Sequence, residues 1–288
     1  MSKQTSEFQE KVMSRFYRGK AVFKPLNTGH IDQHVSCIRE FVANIFFYTK
    51  NDTTIMIDAG YNYGRLREKM NWLGHDPALI RHILITHQDT DHIGAVETDS
   101  DQLFKGARLY IGEIENRYLT GEKRRKISRG LYKLPLVKTD NPKVLLKDGE
   151  IFCIEGIKIE CFLVPGHTWG HLVYLIDDTY LFTGDTIWLG MDGGYSFLDM
   201  LAEDNTVAKN SLASLEQKLR TRKLNPIIIT GHTGWTDSID FAFAHKDKVC
   251  NALKKQKPHD PNAPYDAYDE TDDTEKKAKS LKLQKQNR

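Results

Sequence analysis

The chain has 288 residues, of which 40% are hydrophobic and 28% charged, with a formal net charge of +2. That length suits one large domain with appendages, and the composition is that of an ordinary globular enzyme. The balanced charge argues against a general nucleic-acid binder, no run of about 18 apolar residues offers a membrane span, and the polar start has no apolar signal core, so a cytoplasmic location is the default expectation.

Residues 1–19 are polar and weakly patterned and are predicted to be an N-terminal extension. Strands are predicted over 21–26, 41–49 and 53–58, with Asn51-Asp52 as the turn between the last two. Leu66, Met70 and Leu73 recur at helical spacing before Gly74, a helix followed by its stop. Residues 81–86 form an apolar run too short for a helix and read as a buried strand. A strand over 107–111 and a short helix over 112–119 follow. Residues 120–141 read as irregular, a lid or a dimer contact, and they carry the basic run Lys123-Arg124-Arg125-Lys126. Strands resume over 144–146, 151–154, 157–164, 172–176 and 180–182. A helix over 207–224 has Leu212, Leu215 and Leu219 on one face, a strand spans 226–230 and a helix 238–253. Beyond residue 254 Pro258, Pro261, Pro264 and an acidic run mark a charged tail, so the main domain is expected over 20–253. The cysteines Cys37, Cys153, Cys161 and Cys250 form no C-x-x-C pair and read as thiols rather than a disulfide framework.

The chemistry concentrates after residue 86. His87, Asp89, Asp91 and His92 put four possible ligands into six residues. In extended backbone residues i and i+2 point the same way, so His87 and Asp89 can converge on one ion; Asp91 and His92, once the chain turns into a helix, can face a second. Three other apolar runs end in a glycine followed by a ligand: Pro165-Gly166-His167, Thr183-Gly184-Asp185 and Thr230-Gly231-His232. A lone His or Asp after glycine is usually a turn or capping residue, but the coincidence of all these segments in one chain points to a metal site. His171 reads as a supporting or packing residue.

These segments, with Ile55-Met56-Ile57-Asp58-Ala59-Gly60, resemble the metallo-β-lactamase superfamily in content and order over roughly residues 20–250. The Pro-Gly-His-Thr and Gly-Asp-Thr wording looks closest to its glyoxalase II and lactonase branches. The resemblance implies an α/β fold, the four-layer αβ/βα sandwich, and a site for two divalent metal ions. It assigns His87, Asp89 and His167 to the first metal, Asp91, His92 and His232 to the second, Asp185 to the bridge and Asp58 to support. It also implies a metal-dependent hydrolase of an ester, thioester, lactone, lactam or phosphodiester, in which Asp91 helps orient or deprotonate the attacking water.

One residue departs from the usual His-x-His-x-Asp-His motif: Asp89 stands where the middle histidine is expected. Zinc is the metal of the family, whereas an added carboxylate favours iron or manganese. The flavodiiron branch carries a carboxylate at this place, so a diiron redox protein lacking a flavodoxin domain is the alternative; a non-catalytic metal-stabilised module is a third. For a small-molecule substrate, Arg124 and Arg125 are candidates to receive an anionic group. Trp188 and Trp235, with Trp169, Tyr195 and Phe197, are candidates for an apolar wall, against a packing role for each. A homodimer is compatible with this sequence, which does not itself define one.

Overall fold

A computed structural model describes residues 22–40, 42–61, 65–128, 130–250 and 256–259. The expected N-terminal extension and most of the tail lie outside the described residues.

One seven-stranded sheet has the order β1 (Gly29–His30), β2 (Val35–Glu40), β3 (Ala43–Lys50), β4 (Thr53–Ile57), β5 (His82–Leu84), β6 (Arg108–Gly112) and β9 (Lys143–Leu146). A second, six-stranded sheet has the order β10 (Ile151–Ile154), β11 (Ile157–Leu163), β12 (Leu172–Ile176), β13 (Tyr180–Phe182), β16 (Ile227–Thr230) and β17 (Gly234–Thr236). Period-two alternation explains why the apolar runs are nearly continuous: each sheet is covered on both faces. On β3, Phe46 and Tyr48 enter the core between the sheets, while Ile45 and Phe47 face outward. On β12, Leu172, Tyr174 and Ile176 face that same core, and Val173 and Leu175 point away.

Helices cover the two outer faces. The first sheet packs against Leu66 and Met70 of α1 (Leu66–Trp72), Ile93 of α2 (Thr90–Ile93) and Leu119 of α3 (Glu113–Leu119). The second packs against α4 (Asn205–Thr221), whose Leu212, Leu215 and Leu219 form its buried stripe, and α5 (Ile239–Ala242). Asp204 starts α4 by accepting the N–H groups of Thr206 and Val207, a favourable N-cap. The result is the expected αβ/βα sandwich.

Several local expectations differ. Residues 22–26 are not a strand: Leu26 N–H bonds to the Asn44 side chain, and Val22 and Phe23 plug a small cluster with Trp188 and Phe197. Among the described residues of the helix expected over 238–253, α5 is helical; β18 (His245–Val249) follows and pairs in parallel with β15 (Gly193–Ser196), which also pairs with β14 (Ile187–Gly190). Tertiary pairing overrides helical periodicity there. Strand β2 went unforeseen; its Arg39 and Glu40 obscure the pattern, and both are buried. The 120–141 stretch contains a two-stranded hairpin, β7 (Lys126–Ile127) and β8 (Tyr132–Lys133).

Strand register is what positions the site. Strands β13 and β16 run parallel with Phe182 opposite Ile229, so Asp185 and His232, each three residues further on, emerge side by side at one end. Strands β4 and β5 are parallel with Ile57 opposite Leu84, which brings Asp58 next to the loop that opens at Thr86. The sheets are tied at this end by Leu172 N–H to Thr86 O at 2.9 Å and Asn44 N–H to Gly231 O at 2.8 Å.

Candidate metal centre

Asp89 is the hinge of the motif loop. Its backbone is extended (φ −64°, ψ 145°), and its carbonyl accepts the N–H groups of His92 and Ile93 as α2 begins. His87 and Asp89 therefore project from extended chain, and Asp91 and His92 from the helix's first turn. Two of the glycines before ligands are required by close approach. A Cβ on Gly184 (φ +49°) would sit 2.7 Å from Thr86 Oγ1, and one on Gly166 (φ +135°) 2.3 Å from Ala208 Cα.

Two sets of donor atoms result. In the first, Asp89 Oδ2 lies 3.6 Å from His87 Nε2 and 3.2 Å from His167 Nε2, and Asp185 Oδ2 lies 3.9 and 3.6 Å from the same two nitrogens. In the second, Asp185 Oδ1 lies 3.1 Å from His92 Nε2 and 3.0 Å from His232 Nε2; Asp91 Oδ2 lies 3.7 and 3.5 Å from them. Tetrahedral ligands about 2.1 Å from one ion stand roughly 3.4 Å apart, so both sets have the spacing of a cage around an ion. Asp185 lies between the sets: its Oδ1 belongs to the second, and its Oδ2 reaches the first while also standing 3.1 Å from His232 Nε2.

The rings are held with Nε2 inward. Nδ1–H of His87 donates to Thr86 Oγ1 at 3.1 Å, that of His92 to Asp58 Oδ2 at 2.8 Å, and that of His232 to the Val42 carbonyl. Such outer partners orient ligating histidines. Buried His87 Nε2 has no hydrogen-bond partner among the described residues, as expected of an atom reserved for an ion. Asp58, itself in the left-handed region at φ 58°, also accepts the Thr86 N–H and hydroxyl, so one carboxylate braces both the loop and His92. His171 stacks on His87 with centroids 4.8 Å apart, and its Nε2 accepts the Asp185 N–H at 3.1 Å.

Burial and charge oppose each other here. Burial works against ionisation of Asp185, but His232 and His92 hold its carboxyl well below the usual range. Burial likewise opposes a charge on His92, yet Asp185, Asp58 and Asp91 raise it well above an ordinary histidine. Asp89 is also buried, and the Arg125 guanidinium, with His167 and His87, holds it well below the carboxylate range.

Arg125 does not face an open cleft: it is 2% exposed and closed over Asp89, which removes it from the substrate contacts expected of it. Arg124 instead lines an open cavity of about 490 Å³ with Lys123, Lys126, Lys133, Tyr118, Trp169 and Glu203. Trp188 is enclosed, donating its indole N–H to Val22 O at 2.8 Å, and Trp235 packs against the core between the sheets. The aromatic surface at the ligands is Phe23 and Phe197, at 4.4 and 5.4 Å from the His232 ring.

Sequence reasoning also missed Glu115. Fully buried on α3, it accepts the Gln88 N–H at 2.8 Å, the Thr168 hydroxyl at 2.7 Å and the Gly170 N–H at 3.1 Å, joining the two ligand loops. Desolvation pushes its carboxyl up to about 8. Its signal was available: Glu115, Tyr118 and Leu119 share one helical face, and an acid there needs buried partners.

The family model of the metallo-beta-lactamase superfamily matches residues 38–244, and the chain belongs to that superfamily. Hydroxyacylglutathione hydrolase of Buchnera aphidicola subsp. Schizaphis graminum is 31% identical over 165 residues, covering 56% of this chain and 54% of that protein. The probable polyketide biosynthesis zinc-dependent hydrolase BaeB of Bacillus velezensis is 28% identical over 135 residues, covering 47% of this chain and 50% of that protein. The chain thus spans about half the length of these two curated relatives. A solved B3 metallo-beta-lactamase with an active site glutamic acid superposes with a TM-score of 0.59 over 81% of this chain and 90% of that one, at 16% identity, a likeness of fold. No helix among the described residues is long and apolar enough to cross a membrane.

Proposed function

We propose that this protein is a two-metal hydrolase, with His87, Asp89, His167 and Asp185 holding one ion and Asp91, His92, His232 and Asp185 the other. The observation that carries this is the place of Asp185 between the two sets of imidazole nitrogens: Oδ1 reaches His92 and His232, and Oδ2 reaches His87 and His167 while also lying 3.1 Å from His232 Nε2. When bound, such a pair of ions lowers the pKa of water and polarises the oxygen of the bond under attack. The protein's own part is orientation. Thr86, Asp58 and the Val42 carbonyl keep three Nε2 atoms inward, and His171 holds the Asp185 backbone. Asp91 is the most solvent-accessible member of the set, with a side chain 20% exposed, and is the group able to take a proton from the attacking water and pass it outward.

The substrate class that fits best is an ester or thioester carrying negative charge. The cleavable class is suggested by the Buchnera relative, named for hydrolysis of an acylated glutathione. The charge is suggested by the cavity lined by Lys123, Arg124, Lys126 and Lys133, which adjoins the His167 turn through Trp169 and Glu203. Lys123 Nζ lies 5.9 Å from the Trp169 ring and 5.8 Å from that of Tyr118, so cation and aromatic faces line one cavity. Zinc is the leading candidate ion, after the zinc-dependent relative.

The direct test is metal analysis of the purified chain together with hydrolysis of ester, thioester, lactone, lactam and phosphodiester substrates after loading with Zn, Mn or Fe. Fewer than two bound ions, or no metal-dependent cleavage of any substrate, counts against the reading. Arg124→Ala/Lys126→Ala should raise KM for an anionic thioester roughly tenfold, equivalent to about 1.4 kcal/mol, and flatten its salt dependence with kcat held. An unchanged KM removes the anionic assignment.

A further inference from the structure

We propose that Arg125 is a positioning residue for the first metal position: by closing on Asp89 it cancels that carboxylate's charge, so that the two side chains act together as one neutral donor. This rests on the two-metal reading above and concerns a residue outside the ligand set.

The geometry is a fork on a fork. Arg125 Nε donates to Asp89 Oδ1 at 2.8 Å and Nη2 to Asp89 Oδ2 at 2.9 Å, the bidentate match of guanidinium to carboxylate. Two more of its five N–H groups are committed, Nη1 to Lys126 O at 3.0 Å and Nη2 to Leu201 O at 2.6 Å. The side chain is 1% exposed, so the guanidinium cannot turn out to water. Asp89 Oδ1 also accepts Gln88 Nε2–H at 2.7 Å and is filled. Only Oδ2 faces His87 and His167, and it is shared with Arg125, whose Nη2 stands 3.1 Å from His167 Nε2.

Two consequences follow. Asp89 can offer one oxygen and a reduced share of its charge, so it does not supply the full anionic donor that an unaccompanied carboxylate would. In turn, the cation beside His167 is tolerable only while Asp89 is present, because an unpaired buried charge is costly and would repel an ion held by the same imidazole. Neither side chain can therefore be changed alone without unbalancing the position.

A double-mutant cycle tests this, read by metal content, chelator competition, the visible spectrum of the Co(II)-loaded protein and thermal unfolding. Asp89→His leaves a neutral nitrogen donor facing an unpaired Arg125; it should keep one ion per chain, with first-position affinity down at least a hundredfold. Arg125→Met leaves the carboxylate unaccompanied; it should hold the first ion at least tenfold tighter and shift the Co(II) bands. The combined variant D89H/R125M has no unpaired charge and should regain two ions and the lost thermal stability. Full loading in Asp89→His would overturn the proposal. So would a combined variant that loads one ion, or that fails to fold, since it buries no uncompensated charge. Failure of the two-metal reading is a separate result, read from the parent chain's own stoichiometry; the pair would still be tested by coupling in the unfolding temperatures.

Discussion

The two halves of the proposed metal centre are built from similar donors but balanced in opposite ways. In the first set, two histidines and a carboxylate are backed by a buried cation, Arg125, which lies against both Asp89 and His167. In the second, two histidines are backed by carboxylates: Asp58 behind His92, Asp185 between His92 and His232, and Asp91 at the open side. The contrast teaches that ligand identity alone does not define a metal position. A carboxylate in the first set is drained of charge by its partner, whereas Asp58 enriches an imidazole in the second. The motive for reading Asp89 as a hard donor that selects iron or manganese is weakened accordingly, and with it the case for a redox protein.

The residue common to both halves should show the largest effect. Asp185→Ala should lose both ions and reduce kcat/KM by about a thousandfold or more, since the bridge and the charge of both cages go together. His87→Ala, by contrast, should lose the first ion alone. Equal stoichiometry in the two variants, measured by elemental analysis, would break the distinction between a shared and a private ligand. Asp58→Ala removes an outer partner of the second half and should lower affinity there by about 10–100-fold while the first position holds, as chelator competition can measure. An equal drop at both positions would assign Asp58 to the Thr86 loop as a whole rather than to His92.

The smallest effect concerns Glu115, which spans the loops of the first half. Its folded pKa of about 8 is raised above the ordinary 4.5, so the fold binds this proton more tightly than the unfolded chain. The stability it contributes is present in full below about pH 4.5 and is lost as pH rises through about 8. Glu115→Gln should therefore flatten the decline in Tm between pH 6 and 9 relative to the parent chain. An identical decline in both would show that Glu115 is ionised in the fold.

Much of this was legible along the chain because the information is local. His87, Asp89, Asp91 and His92 lie within six residues, and the other candidate ligands each follow an apolar run and a glycine, so strand ends could be inferred from composition alone. The two-faced burial of β3 and β12 was legible for the same reason, as continuous apolar sequence. Failures came where local pattern and tertiary pairing compete. Residues 245–249 pair with β15 instead of extending a helix, and residues 22–26 fill a corner instead of joining a sheet.

By itself, then, the sequence determined the candidate donors and the strand ends that carry them, since both depend on residue type and short spacing. Only the tertiary structure decided what charge those donors carry. Lys123, Arg124, Arg125 and Lys126 are indistinguishable as a run of cations, and nothing local selects the second arginine. Folding buries Arg125 against Asp89, 36 residues away, and leaves Arg124 lining an open cavity. Coulombic balance in a buried site is set by distances through space, so the meaning of Asp89 lies in a partner that its own motif does not contain.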